Sequence, residues 1–137
     1  MLRSIDPHRC PVDQALEVLS GKWKPLILWR LHAGTLRFGE LQRAVPGVTQ
    51  RMLTLQLREL ERDGLVERTV YAEVPPRVEY ALTAPARKLM PVMEGMGEWL
   101  LKQHDALRDA AAGGRAAARD ASGPAGGDNV RVLRVRK

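Results

Sequence analysis

From Thr49 to Gly64 the sequence carries a pattern that only a two-faced helix satisfies. Advancing about 100° per residue from Leu53 puts Leu57 at about 40° and Leu60 at about 340°, so the three leucines form one apolar stripe. Thr54, Arg58, Arg51, Arg62 and Leu55 fall between about 100° and 200°. That sector contains no acidic residue. Thr49 has an N-cap side chain, and Gly64 supplies the C-terminal stop. Such a helix can bury its leucines on a core and present its arginines to a DNA major groove.

The flanking segments limit what that core can be. Cys10-Pro11 reads as a helix start, because proline suits the first helical position. Val12, Ala15, Leu16 and Leu19 then recur at helical spacing up to Ser20-Gly21. A second helix is expected from Lys24-Pro25 to Gly34. Its Leu26, Ile27, Leu28, Trp29 and Leu31 cover most of its circumference, which predicts a central buried helix. Leu36 to Phe38 reads as a short extended piece or helix entry, and Phe38, Leu41 and Val45 mark a short third helix ended by Pro46-Gly47. After the arginine-bearing helix, Val66 to Tyr71 and Val78 to Leu82 read as a hairpin around the stiff tip Pro75-Pro76. Thr83 can cap a last helix carrying Leu89, Val92, Met96, Trp99 and Leu100, with Pro91 expected to kink it or move its effective start. A short helix, a Pro-Gly turn, a second helix and a hairpin make a winged helix-turn-helix. The fold class is α+β, mainly α. The expected organisation is a flexible start over residues 1–9, the folded domain over 10–110, and a low-complexity basic tail over 111–137, expected to be disordered.

The candidate DNA-contacting residues follow from this placement. Arg51 or Arg58 could donate two hydrogen bonds to a guanine, worth roughly 1–3 kcal/mol of discrimination each, and Gln50 could pair with an adenine. Thr49 and the open N–H groups of the helix start could hold a phosphate. Thr54 shares the basic face, and Leu55, a large apolar side chain there, could pack on a thymine methyl. Arg37, at the entry to the third helix, and Arg68 and Arg77, on the hairpin, complete the set, with Arg77 placed for a phosphate or the minor groove. A competing reading makes the helix arginines a solvated face paired with Glu59 and Glu61. Arg77 could equally shield a sheet edge, and Glu73 at the same tip works against a strong electrostatic contact.

Charge supports a polyanionic partner less than its total suggests. Of 22 basic and 16 acidic residues, six and two lie in residues 113–137; the remainder therefore carries 16 bases and 14 acids, and only +2 of the formal +6. Aromatic residues are 4% of the chain, too few for a stacking platform for single strands. One cysteine excludes an intramolecular disulfide and a multi-cysteine zinc site. His8, His32 and His104 are far apart and read as surface residues, so neither metal nor cofactor is expected. No nucleophile elbow, P-loop or dinucleotide fingerprint occurs, and the expectation is a protein that is not an enzyme. No apolar run suits a signal peptide or a membrane span, which predicts a cytoplasmic protein without a membrane partner. Two alternatives remain open: a winged helix used only for protein–protein contact, and a thiol enzyme, for which neither resolving thiol nor base is visible.

Several stretches resemble the HxlR-type family of bacterial regulators, relatives of the MarR group. They are Cys10-Pro11-Val12, Gly21-Lys22-Trp23, Arg37-Phe38-Gly39-Glu40-Leu41, Pro46-Gly47-Val48, Leu57-Arg58-Glu59-Leu60, Gly64-Leu65-Val66 and, most specifically, Val70 to Thr83 with its Val74-Pro75-Pro76-Arg77 tip. The resemblance spans residues 10 to about 100 and leaves the tail uncovered. It implies a homodimeric, sequence-specific transcription factor, usually a repressor, on a palindromic operator of double-stranded DNA. The first and last helices would form the dimer interface, through Val12 and Leu16 and through Val92, Met96, Trp99 and Leu100. The sequence differs from the family's common residues at Gln50, where proline is frequent, and at Leu55, where a polar residue, often glutamine, is usual. Some similar regulators sense oxidants or electrophiles through a cysteine at the position of Cys10, and a helix N-terminus favours the thiolate. With one thiol per chain, a disulfide would join two subunits or use a small thiol; the competing reading is an unreactive helix-start residue. A small-molecule effector is a further possible partner.

Overall fold

The computed structural model describes residues 4–120, with side chains through residue 113. Its elements are α1 (Pro11–Val18), α2 (Lys24–His32), β1 (Leu36–Arg37), α3 (Phe38–Ala44), α4 (Gln50–Arg62), β2 (Val66–Tyr71), β3 (Arg77–Leu82) and α5 (Ala84–Asp120). The chain is mainly helical, with one antiparallel sheet in the order β1-β3-β2. Leu36 faces Tyr80 in one pairing, and Val66 faces Leu82 and Tyr71 faces Arg77 in the other. This is the expected winged helix-turn-helix, with α3 and α4 as the helix pair and β2–β3 as the wing.

The helix pair is set by short-range chemistry. Gly47 turns the chain at φ +86°, a left-handed conformation that a side chain disfavours. Thr49 Oγ1 accepts from the Met52 amide at 3.1 Å and caps α4. Gly64 ends it at φ +75°, and the Leu65 amide returns to the Leu60 carbonyl at 2.9 Å. Leu53, Leu57 and Leu60 are fully buried against Ile27, Leu28 and Leu31 of α2 and Leu41 of α3. Truncating one of these leucines to alanine costs about 2–5 kcal/mol. At the wing's base the Thr83 hydroxyl donates to the Gly64 carbonyl at 2.6 Å, and its oxygen accepts from the Ala86 amide at 3.4 Å. The cap of α5 therefore also fixes the exit from α4.

Three expectations are corrected. In α2 the buried face holds Lys24, Ile27, Leu28 and Leu31, at spacings of three and four residues, while Trp29 lies off that stripe and is 47% exposed. Of the two effects expected of Pro91, only the shifted start is overturned: α5 begins at Ala84 and contains the proline. Nor does that helix stop near residue 110: it continues to Asp120 through an Ala/Arg-rich stretch whose composition favours helix despite its glycines. Residues 121–137, including the alternating segment Val130 to Lys137, lie outside the described residues.

The chain divides into two compact units, the first ending at Met96 and the second beginning at Gly97. In the first, Val12, Leu16, Val92 and Met96 are exposed. The second is the remaining length of α5, where Trp99, Leu100, Leu101 and Leu107 are exposed.

Candidate nucleic-acid interface

The exposed face of α4 begins at its cap. Thr49 Oγ1 spends a lone pair on the Met52 amide, which leaves the hydroxyl hydrogen to donate outward. Thr54 is the reverse case. Its hydroxyl donates back to the Gln50 carbonyl at 2.8 Å, so outward it can only accept. Thr49, Gln50, Arg51, Thr54, Leu55 and Arg58 together line one shallow hollow. Six of the residues selected from the sequence are thus neighbours on one surface. Arg51 and Arg58 are exposed and have no ion-pair partner among the described residues. Leu55 is 48% exposed in the middle of this set. Glu61 lines a hollow with Arg58 but forms no ion pair with it, and Glu59 binds a lysine of α2.

That lysine is Lys24, which sequence reasoning missed. It lies on the buried stripe of α2 and is 2% exposed. Its Nζ is 2.6 Å from Glu59 Oε2. A buried ammonium needs a partner, so the pair ties α4 to α2 and sets how the two helices pack. The only signal in the sequence was position: Lys24 precedes Ile27, Leu28 and Leu31 by three, four and seven residues.

The wing residues divide. Arg68, exposed on β2, lines a small hollow with Thr54, Arg58, Glu61 and Tyr80, so it adjoins the α4 face. Arg77 is bound internally. Its guanidinium lies 3.1 Å from Glu73 and 3.5 Å from Glu79. It also stacks on Tyr71, with Cζ 4.0 Å from the ring centroid. Arg37 is exposed beside this cage and shares a hollow with Glu73, Pro75, Pro76 and Arg77. Its backbone amide donates to Glu40 Oε1 at 3.1 Å, which fixes the start of α3. The structure therefore joins Arg68 to the α4 set and places Arg37 and Arg77 together elsewhere.

Cys10 is exposed at the N-cap of α1, and its side chain makes no capping hydrogen bond. His32 is exposed yet engaged: its Nε2 is 2.9 Å from Glu94 of α5. Among the described residues no cluster of three or more His, Cys, Asp or Glu side chains could hold a metal ion. No helix among them is long and apolar enough to cross a membrane.

A helix pair whose second helix exposes Arg51 and Arg58 without ion-pair partners among the described residues, followed by a β-wing, defines a transcriptional regulator of the winged helix-turn-helix class. The chain belongs to the HxlR-like helix-turn-helix family, whose model matches residues 18–107. It is 50% identical over 104 residues to the HTH-type transcriptional regulator YdeP of Bacillus subtilis (strain 168), covering 76% of this chain and 81% of that one. Among solved structures, the redox regulator HypR in its reduced form is 49% identical, with a TM-score of 0.67 over 73% of this chain and 99% of that one. The reduced form of the transcriptional regulator YodB from B. subtilis is 37% identical, with a TM-score of 0.61 over 66% and 90%.

Proposed function

We propose that the protein is a cytoplasmic, homodimeric repressor that places α4 in the major groove of a palindromic operator. The observation that carries this reading is the pairing of opposites on one helix: Leu53, Leu57 and Leu60 are sealed in the core while Arg51 and Arg58 stand exposed without ion-pair partners. Arg51 and Arg58 read guanine or hold phosphate, Gln50 reads adenine, and Leu55 packs on a thymine methyl. Thr49 donates to a phosphate and Arg68 adds a backbone contact beside Arg58. Exposed Val12, Leu16, Val92, Met96, Trp99 and Leu100 supply the apolar surface of the dimer. The test is operator binding by Arg51→Ala at unchanged folded content. Loss of discrimination between operator and random DNA supports the reading; unchanged operator affinity rejects it.

Cys10 is proposed as a thiol sensor. Its exposure supports this, as do the relatives, HypR solved in reduced and oxidised forms and YodB in reduced and diamide-treated forms. Since each chain has one cysteine, oxidation joins Cys10 to the partner subunit's Cys10 or to a small thiol. Two thiols lose two protons and two electrons, and diamide takes up both as it becomes the hydrazine. DNA affinity should change with diamide, recover with dithiothreitol, and stay constant in Cys10→Ser; diamide-insensitive binding by the native chain removes the switch.

A further inference from the structure

Away from the arginine face, the segment before α1, α1 itself and the first turns of α5 line a half-open hollow of ≈ 550 Å³. Small-molecule sites occupy roughly 300–1,000 Å³ and are lined mostly by carbon, with a few polar groups. Val18, Leu19, Leu65 and Leu89 supply aliphatic walls here, flanked by exposed Ile5 and by exposed Val92, which also belongs to the proposed dimer surface, and no lining residue is aromatic. The polar lining is almost entirely engaged within the protein. Gln14 Nε2 donates to the carbonyls of Asp6 at 2.9 Å and Arg9 at 3.2 Å, and its Oε1 accepts from the Asp6 amide at 2.8 Å. Arg9 is held by Asp13 at 2.7 Å and by Glu17. The Asp6 carboxylate accepts from the His8 amide at 2.9 Å. Among the charged lining residues only Lys88 has neither a hydrogen bond nor an ion pair among the described residues.

An open aliphatic hollow with one exposed, unengaged ammonium in its lining suits a molecule with a flexible hydrocarbon body and a single anionic head. We propose that this cavity binds an aliphatic monoanion, with its head on Lys88 and its chain along Val18, Leu19, Leu65 and Leu89. Leu65 gives the site a route to the DNA-binding helix. Its amide donates to Leu60 of α4 at 2.9 Å, and its carbonyl accepts from Thr83, the cap of α5, at 3.1 Å. A ligand seated on Leu65 therefore bears on the last turn of α4, and occupancy changes operator affinity. This consequence rests on the operator-binding reading; ligand binding itself does not.

Decanoate, decanol and decyltrimethylammonium, each below its micelle-forming concentration, separate the possibilities when titrated calorimetrically into the full chain. Decanoate should bind about threefold more tightly than decanol, because its head makes a charge-assisted contact with an exposed lysine. Lys88→Gln should remove that advantage, and Ala15→Trp, which fills the cavity from an exposed position, should abolish binding of both. Equal affinity for acid and alcohol, preference for the cation, or binding undiminished in Ala15→Trp would overturn the site. So would absent decanoate binding combined with a monomeric Ala15→Trp in sedimentation, which would assign the cavity to a second copy of the chain. With ligand binding intact, an operator affinity indifferent to decanoate overturns the coupling alone. A chain that never binds operator, with or without decanoate, instead defeats the functional proposal.

Discussion

The face of α4 and the tip of the wing both carry arginine, and they treat it in opposite ways. Arg51 and Arg58 have no ion-pair partner among the described residues, and the half-buried Glu59 beside Arg58 binds Lys24. Their charge remains for an outside partner. Arg77 sits among Glu73, Glu79 and the Tyr71 ring, so its charge is balanced inside the hairpin. Proximity to the proposed duplex is thus a poor guide to electrostatic contribution. An arginine already paired must exchange one carboxylate contact for a phosphate contact, whereas an unpaired one gives up only water.

The comparison can be broken or sharpened by substitution, and the largest effects concern the support of the α4 face. Leu57→Ala should lower unfolding free energy by about 2–5 kcal/mol in denaturant titrations, because it empties the stripe on which α4 rests. Glu59→Ala should cost about 3 kcal/mol by the same measurement, since it leaves the Lys24 ammonium buried without its carboxylate. Arg51→Ala should leave stability nearly unchanged and reduce discrimination between operator and random DNA by about 1–3 kcal/mol, read by fluorescence anisotropy. Glu73→Ala should raise overall DNA affinity a few-fold, because it removes an anion from the tip and frees one side of Arg77. Arg77→Ala should have the smallest effect on DNA binding. If it weakens binding as much as Arg51→Ala, the wing cage opens in the complex and the contrast is lost.

What the sequence disclosed follows from the range of the forces involved. The period of α4, its Thr49 cap and the Gly64 stop are local, and all were legible. So was the gathering of Arg51, Thr54, Leu55 and Arg58 on one side, which helical spacing sets, while Thr49 and Gln50 join them from the open first turn. The Lys24–Glu59 pair joins residues 35 positions apart and depends on how two helices pack, which no local pattern records. Trp29 shows the same limit: apolar character predicted burial, but the stripe at 24, 27, 28 and 31 excludes it. The Arg77 cage was half visible. Glu73 was noted at the tip, but the facing of Tyr71 and Arg77 required the strand register. The end of α5 was misread because an Ala/Gly/Arg-rich composition serves both low-complexity tails and helices.

The central claim is that Arg51 and Arg58 of α4, and not the arginine of the wing tip, supply the electrostatic attraction to the duplex. The direct test is the salt dependence of DNA affinity for the native chain, Arg58→Ala and Arg77→Ala. Removing one phosphate-contacting cation lowers the slope of log affinity against log salt by about one. The expected result is that loss for Arg58→Ala and a native slope for Arg77→Ala; a native slope for Arg58→Ala with a reduced one for Arg77→Ala would contradict the account.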